Sequence, residues 1–316
     1  MKKFLTLAVI MLLAASYSMD ITRNQLAGLV GLDYSMQDKT TGMGLYVPAV
    51  DYQFEGKPSD MFKLYLYSDL GYEMMKVSND GEAVDAASYG KMYFDLKPMG
   101  KLYLPSNLFV KVELPFSYTN VASDVDGLDA IPTMGMNLKA AFGYDTRKVY
   151  VHGLTPWDLF EDGILFDAFY QMGLMKSVDG EDAIDFVPAY FGVEGAYAYY
   201  KDAMMVKPYL KYRMQMNEDT GAKDADLNIG VDFVKDFTEQ FNLEAGLNYM
   251  MVMPEDSDVD GESDFAIGAG VNYYVMPELD IFAGFGYWMD MTKDNETDPI
   301  MTFTVGAEYT LNLIKK

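Results

Sequence analysis

Val110-Lys111-Val112-Glu113-Leu114-Pro115-Phe116-Ser117-Tyr118 alternates apolar and polar side chains along its length. Val110, Val112, Leu114, Phe116 and Tyr118 fall on one face, with Lys111, Glu113 and Ser117 on the other. Successive side chains of a strand point to opposite sides, so a period of two reads as a β-strand with one greasy and one wet face.

The same period recurs outward from this segment. Met134, Met136, Leu138, Ala140, Phe142 and Tyr144 oppose Gly135, Asn137, Lys139 and Gly143, and Val206, Leu210, Tyr212 and Met214 oppose Lys207, Lys211, Arg213 and Gln215. Phe241 to Tyr249, Phe265 to Tyr273 and Met301 to Leu311 repeat it. Such runs exceed the five or six residues of an average soluble strand and approach the ~9–11 that a tilted strand needs to cross a bilayer.

The connectors alternate as well. Acidic loops near Ser78–Asp85, Ser123–Asp129, Ser177–Asp185, Asn217–Asp226, Glu255–Asp264 and Thr292–Asp298 are separated by tight turns at Gly56–Asp60, Pro105–Asn107, Lys201–Asp202, Asp236–Glu239 and Pro277–Glu278. Long loops at one end and short turns at the other describe an up-and-down antiparallel transmembrane β-barrel. From a first strand near Gln25–Met36 the alternation gives about 14 strands, with 12 or 16 as alternatives. Sixteen applies if Asp145–Gly163 is itself a hairpin. That segment reads instead as a larger periplasmic connection, in which Thr155-Pro156-Trp157-Asp158 before Gly163 suits a single helical turn.

Lys2 and Lys3 precede an uncharged apolar run, Phe4 to Ala15, followed by Ser16 and Ser18. This is the layout of a secretory signal peptide cut after Ser18, leaving residues 19–316 as the barrel. The run is shorter than the roughly 20 apolar residues of a membrane-spanning helix. The chain has no cysteine, which excludes disulfides, thiolate metal sites and a Cys nucleophile. Its 48 acidic residues against 24 Lys and Arg give a net charge of −24, repelling nucleic-acid phosphates.

Taken together, the chain resembles a bacterial outer-membrane β-barrel of the monomeric porin-like kind. In the last strand Thr304, Gly306, Tyr309 and Leu311 resemble the signal by which the family's members are recognised by the outer-membrane assembly machinery. The resemblance implies the bacterial outer membrane as location, and outer-membrane lipid and that machinery as partners.

The strand parity turns one set of charges toward the lumen. Lys111, Glu113, Lys139, Glu194, Lys207, Lys211, Arg213, Asp232, Glu244 and Glu308 form the expected pore lining, with Asp167 beside them. A Lys or Arg facing lipid at mid-membrane costs about 2–4 kcal/mol, which disfavours the opposite register. Lys235 has outward parity but stands at a strand end, where it can snorkel to water. Tyr34, Tyr118, Tyr144, Tyr212, Tyr249, Tyr273 and Tyr287 sit near strand ends, as an interfacial girdle requires.

Three other signals have ordinary explanations. Asp256, Asp258 and Asp260 before Gly261 are spaced like the opening of a calcium loop, yet Ile267 stands where the bidentate Glu belongs, so a solvated loop is expected. Asp124, Asp126 and Asp129 read the same way. His152, the only histidine, falls in the expected periplasmic connection, far from an outer-rim catalytic site. No enzyme, metal or cofactor is expected. The expected function is passive diffusion of small hydrophilic solutes or ions; the alternative is a structural or adhesive surface protein with a closed lumen and acidic outer loops.

Overall fold

A computed structural model describes residues 20–84, 88–123, 130–151, 159–183, 189–216, 224–254, 261–292 and 297–313. The signal segment, His152, Asp124, Asp126, Asp129, Asp256, Asp258 and Asp260 lie outside them. The described residues form eighteen strands. These are β1 Asp20–Gln37, β2 Thr40–Ser59, β3 Phe62–Asn79, β4 Glu82–Ala83, β5 Tyr89–Tyr103, β6 Leu108–Glu113, β7 Phe116–Ser123, β8 Ile131–Asp145 and β9 Lys148–Val151. The second half holds β10 Leu159–Val178, β11 Glu181–Asp182, β12 Tyr190–Lys201, β13 Met204–Gln215, β14 Ala225–Thr238, β15 Phe241–Met253, β16 Ser263–Met276, β17 Leu279–Asp290 and β18 Ile300–Asn312.

Fourteen crossings result, because β4, β9 and β11 are short hairpin arms and β6 and β7 are two halves of one strand. Leu114-Pro115 interrupts that strand, since proline has no N–H to donate. The register nevertheless carries through from Glu113↔Lys139 to Phe116↔Met136. The backbone N–H of Asn137 still donates to the Pro115 carbonyl at 2.9 Å. Neighbours pair antiparallel around the sheet, and β1 closes on β18 from Gln25↔Asn312 to Met36↔Met301. Closure leaves no sheet edge with unpaired backbone groups, which a bilayer would not tolerate.

Both faces follow the period of two. Val110 and Val112 are exposed on the outside, while Glu113 retains 4% of its surface on the inside. Leu32, Phe166, Leu247, Ile267 and Val305 belong to the same exposed apolar outer surface. Lys235, at outward parity, donates to the backbone carbonyl of Asp202 in the neighbouring turn.

Several boundaries differ from the sequence reading. The turn expected at Gly56–Asp60 is Asp60-Met61, and that expected at Asp236–Glu239 is Glu239-Gln240, because the strands extend farther. The first connection at the long-loop end is only Asp38-Lys39, capping two strands of 18 and 20 residues. Two acidic loops tighten into hairpin tips: Asn79 pairs with Glu82 around Asp80-Gly81, and Val178 with Glu181 around Asp179-Gly180. The helical turn expected at Thr155-Pro156-Trp157-Asp158 lies outside the described residues. Leu159 to Gly163 is extended, with Leu159–Asp162 pairing with β9 as a hairpin of four residues a side, too short to add a crossing.

Candidate functional site: the lumen wall

The inner wall has three sectors of different chemistry. The first, β5 to β13, is dense with ion pairs. Lys111 Nζ reaches Glu113 at 2.9 Å, Asp167 at 3.1 Å and Glu194 at 3.5 Å; Lys139 reaches Glu194 at 2.8 Å, and Lys97 reaches Glu113 at 3.0 Å. Asp167 is fully buried, and its ion-pair partner there is Lys111. Phe109 and Phe169 fill the remaining space, with Lys101 4.0 Å from the Phe109 ring centre and Lys139 4.1 Å from that of Phe169. A second chain runs along the same sector through Lys101, Asp145, Arg147, Glu161 and Lys207.

Of the residues expected to line the lumen, Lys111, Glu113, Lys139 and Glu194 are thus brought into one network, and Lys211 pairs across the sheet with Glu194. Lys207 belongs to the second chain and lies opposite Asp232. Arg213 bonds Asp226 over the Tyr190 ring. Glu244 and Glu308 stand apart, accepting from Asn272 Nδ2 and Thr310 Oγ1, each at 3.1 Å.

The second sector, β2, β3 and β5, went unnoticed in the sequence. Asp51 pairs with Asp69 and Asp69 with Asp95, a lateral row of three carboxylates on one face, bounded by Ala27 and Ser117. None of the three takes part in an ion pair among the described residues, and Asp69 Oδ1 has no hydrogen-bond partner among them. A cavity of about 400 Å³ lies along the row, lined also by Gln53, Tyr67, Lys97 and Asn137. The inner face here also carries Tyr65 and Tyr67, stacked at 6.4 Å, with Tyr93 over Gly71. Tyr65 and Tyr67 obscure the inner face of β3, whereas β5 alternates plainly, with Lys91, Asp95, Lys97 and Lys101 inward.

The third sector, the middle of β15 to β18, is lined by small residues between the inward positions Phe282 and Trp288. Gly246, Gly268 and Gly286 stand in one cross-strand row, Gly270 and Gly284 in the next, and Thr302 and Thr304 continue them. A cavity of about 410 Å³ lies here.

In the closing strand, Tyr309 and Leu311 are exposed outward. Gly306 has a packing reason of its own: the Phe282 ring lies where its Cβ would be, and the Val30 carbonyl is 2.6 Å away. Among the described residues no cluster of three acidic or histidine side chains is arranged to hold a metal ion.

No protein-family model matches this chain, and no curated protein matches it. Solved structures do. The TodX monoaromatic hydrocarbon channel, as a deltaS2 mutant, superposes with a TM-score of 0.51 at 9% identity, covering 92% of this chain and 90% of that one. The translocator domain of the autotransporter NalP from Neisseria meningitidis gives 0.41 at 11% identity, over 97% and 95%. OmpTdeltaL8, an outer membrane protein of Vibrio cholerae, gives 0.43 at 13% identity, over 93% and 100%. At these identities the likeness is one of fold: the chain has the architecture of a bacterial outer-membrane β-barrel.

Proposed function

We propose that the protein is a porin-like channel of the bacterial outer membrane, through which small hydrophilic solutes or ions diffuse passively, with cations favoured. The observation that carries this reading is the glycine and threonine surface inside β15 to β18. Eight strands enclose an interior that side chains fill, and 16–18 leave an aqueous channel. Fourteen lies between, so side-chain size on the inner face decides, and glycines fill nothing. The row Asp51, Asp69, Asp95 supports the cation preference. Like charges directly opposite one another weaken a sheet, and water and passing cations relieve that repulsion.

Entry to this location uses residues 1–18 as a cleaved signal, so the exported protein begins at Met19; its intact mass tests that point. Vesicle swelling in isosmotic solutions of uncharged sugars and of a cationic amino acid tests the channel. Swelling is expected with both, faster for the cation, and Asp51→Asn, Asp69→Asn and Asp95→Asn together should remove the difference while leaving sugar entry intact. Vesicles that swell in neither solution would refute the reading.

A second reading has one observation in its favour. The network around Lys111 and Asp167, with Phe109 and Phe169, fills one side of the lumen as a structural strut would. On that reading the barrel is a closed support for acidic surface loops, and the same swelling assay separates the two.

A further inference from the structure

At the short-turn end, one segment leaves the wall. Pairing between β10 and β12 ends at Gly163↔Ala198, and the next residues toward the N-terminus turn into the lumen. Phe160 retains none of its surface, packing with Ala198 and Met205 against Tyr200 and Val234. Ala198 and Tyr200 share the inner face of β12 with Glu194, Met205 shares that of β13 with Lys207, and Val234 that of β14 with Asp232. A phenylalanine still in the wall could not touch all of them. Its ring stacks on Tyr200 at 4.7 Å between centres.

The segment is paired with β9 from Leu159↔Val151 to Asp162↔Lys148, and side chains fasten this hairpin to the wall. The Glu161 carboxylate lies between Arg147, at 2.7 Å, and Lys207, at 3.0 Å. The Glu161 N–H donates to Met205 Sδ at 3.3 Å, and the Tyr200 N–H to Asp162 Oδ1 at 3.3 Å. Where the segment departs, Gly163 has φ +132°, a backbone conformation that side-chain-bearing residues rarely adopt. A Cβ there would meet the Thr146 carbonyl at 2.8 Å. A hinge glycine, one anchoring ring and one carboxylate shared by two cations make a fastening that can open, with β9 moving alongside its partner, without disturbing the β8 and β12 ladders above it.

We infer that Phe160–Asp162 is a strap which narrows the mouth of the lumen at the short-turn end, latched by Glu161 and hinged at Gly163, and that its release widens the channel. This inference rests on the channel reading above. Phe160 contacts wall residues on three strands, β12 to β14, so the strap covers a continuous part of the inner circumference rather than one neighbour.

The chain has no cysteine, so spin labels can be placed at will. Labels at the exposed positions of Lys148→Cys and Lys201→Cys, on full-length refolded protein, report the strap's distance from the end of β12. Glu161→Gln and, separately, Phe160→Ala should add a longer-distance population and a larger conductance level in planar bilayers. A wild type that conducts, with both variants showing its distances and its conductance, would overturn the strap. Distances that lengthen at constant conductance would do the same, because the segment would then move without narrowing anything. Silence from the wild type and both variants sinks the channel reading itself, and the gate with it.

Discussion

Placing an arginine at Val305 or at its neighbour Thr304 separates the lipid face from the lumen face most sharply. Val305 is the sixth residue of the thirteen in β18, close to mid-strand, and 53% exposed on the outside. It pairs across the barrel seam with Leu32, itself 47% exposed, so an arginine there meets hydrocarbon with no acidic partner on its own strand pair. The cost is about 2–4 kcal/mol at the midplane. That corresponds to roughly 30- to 700-fold in the equilibrium constant for folding into a bilayer.

Thr304 faces the other way. It pairs with Asp33, whose Oδ1 has no hydrogen-bond partner among the described residues, and with Gly284 on the other side, where space is ample. Thr304→Arg therefore leaves its charge in the lumen beside a carboxylate and should fold within about 1 kcal/mol of the wild type, as exposed ion pairs contribute little. Urea titration of folding into lipid vesicles, read by heat-modifiable migration on gels, measures both. Equal destabilisation by the two variants, or a larger effect at Thr304, would refute the assignment of faces.

Gly306→Ala should destabilise the barrel by more than Gly268→Ala, because the first Cβ collides with the Phe282 ring and the Val30 carbonyl while the second meets only the Phe285 carbonyl at 3.6 Å; melting temperatures of the refolded variants check the order. Asp167→Ala should cost about 3–5 kcal/mol, since it leaves cations buried with one fewer counter-charge, whereas Asp226→Ala, next to the more exposed Arg213, should cost less than 1 kcal/mol; denaturant midpoints of the two variants decide. Cation preference should weaken as ionic strength rises, because charges facing water are screened within about 8 Å at physiological salt; reversal potentials at low and high potassium chloride measure the trend.

The barrel was legible in the sequence wherever one face was plainly apolar. Val110 to Tyr118 and Met301 to Leu311 announce their inner and outer positions directly, and connector alternation supplies the count of fourteen. Legibility failed where the inner face borrows the residues of the outer one. Tyr65 and Tyr67 obscure the inner face around Asp69, and the register shift between Tyr46 and Val50 breaks the period in β2 just before Asp51, so the row of three carboxylates does not show even though β5 alternates plainly around Asp95. Parity placed Lys111, Lys139 and Glu194 on one side of the sheet but could not say that Lys111 touches three carboxylates, since those contacts join residues up to 83 positions apart. The strap was out of reach for another reason: Gly163 departs from the wall through backbone geometry that a glycine permits but does not require.

Single-channel recording of the refolded full-length chain in a planar bilayer under a potassium chloride gradient tests the central claim most directly. The account predicts discrete conductance steps and a reversal potential displaced toward that of potassium, with the displacement reduced when Asp51, Asp69 and Asp95 are replaced by asparagine. A folded, heat-modifiable barrel that inserts and passes no current would contradict it.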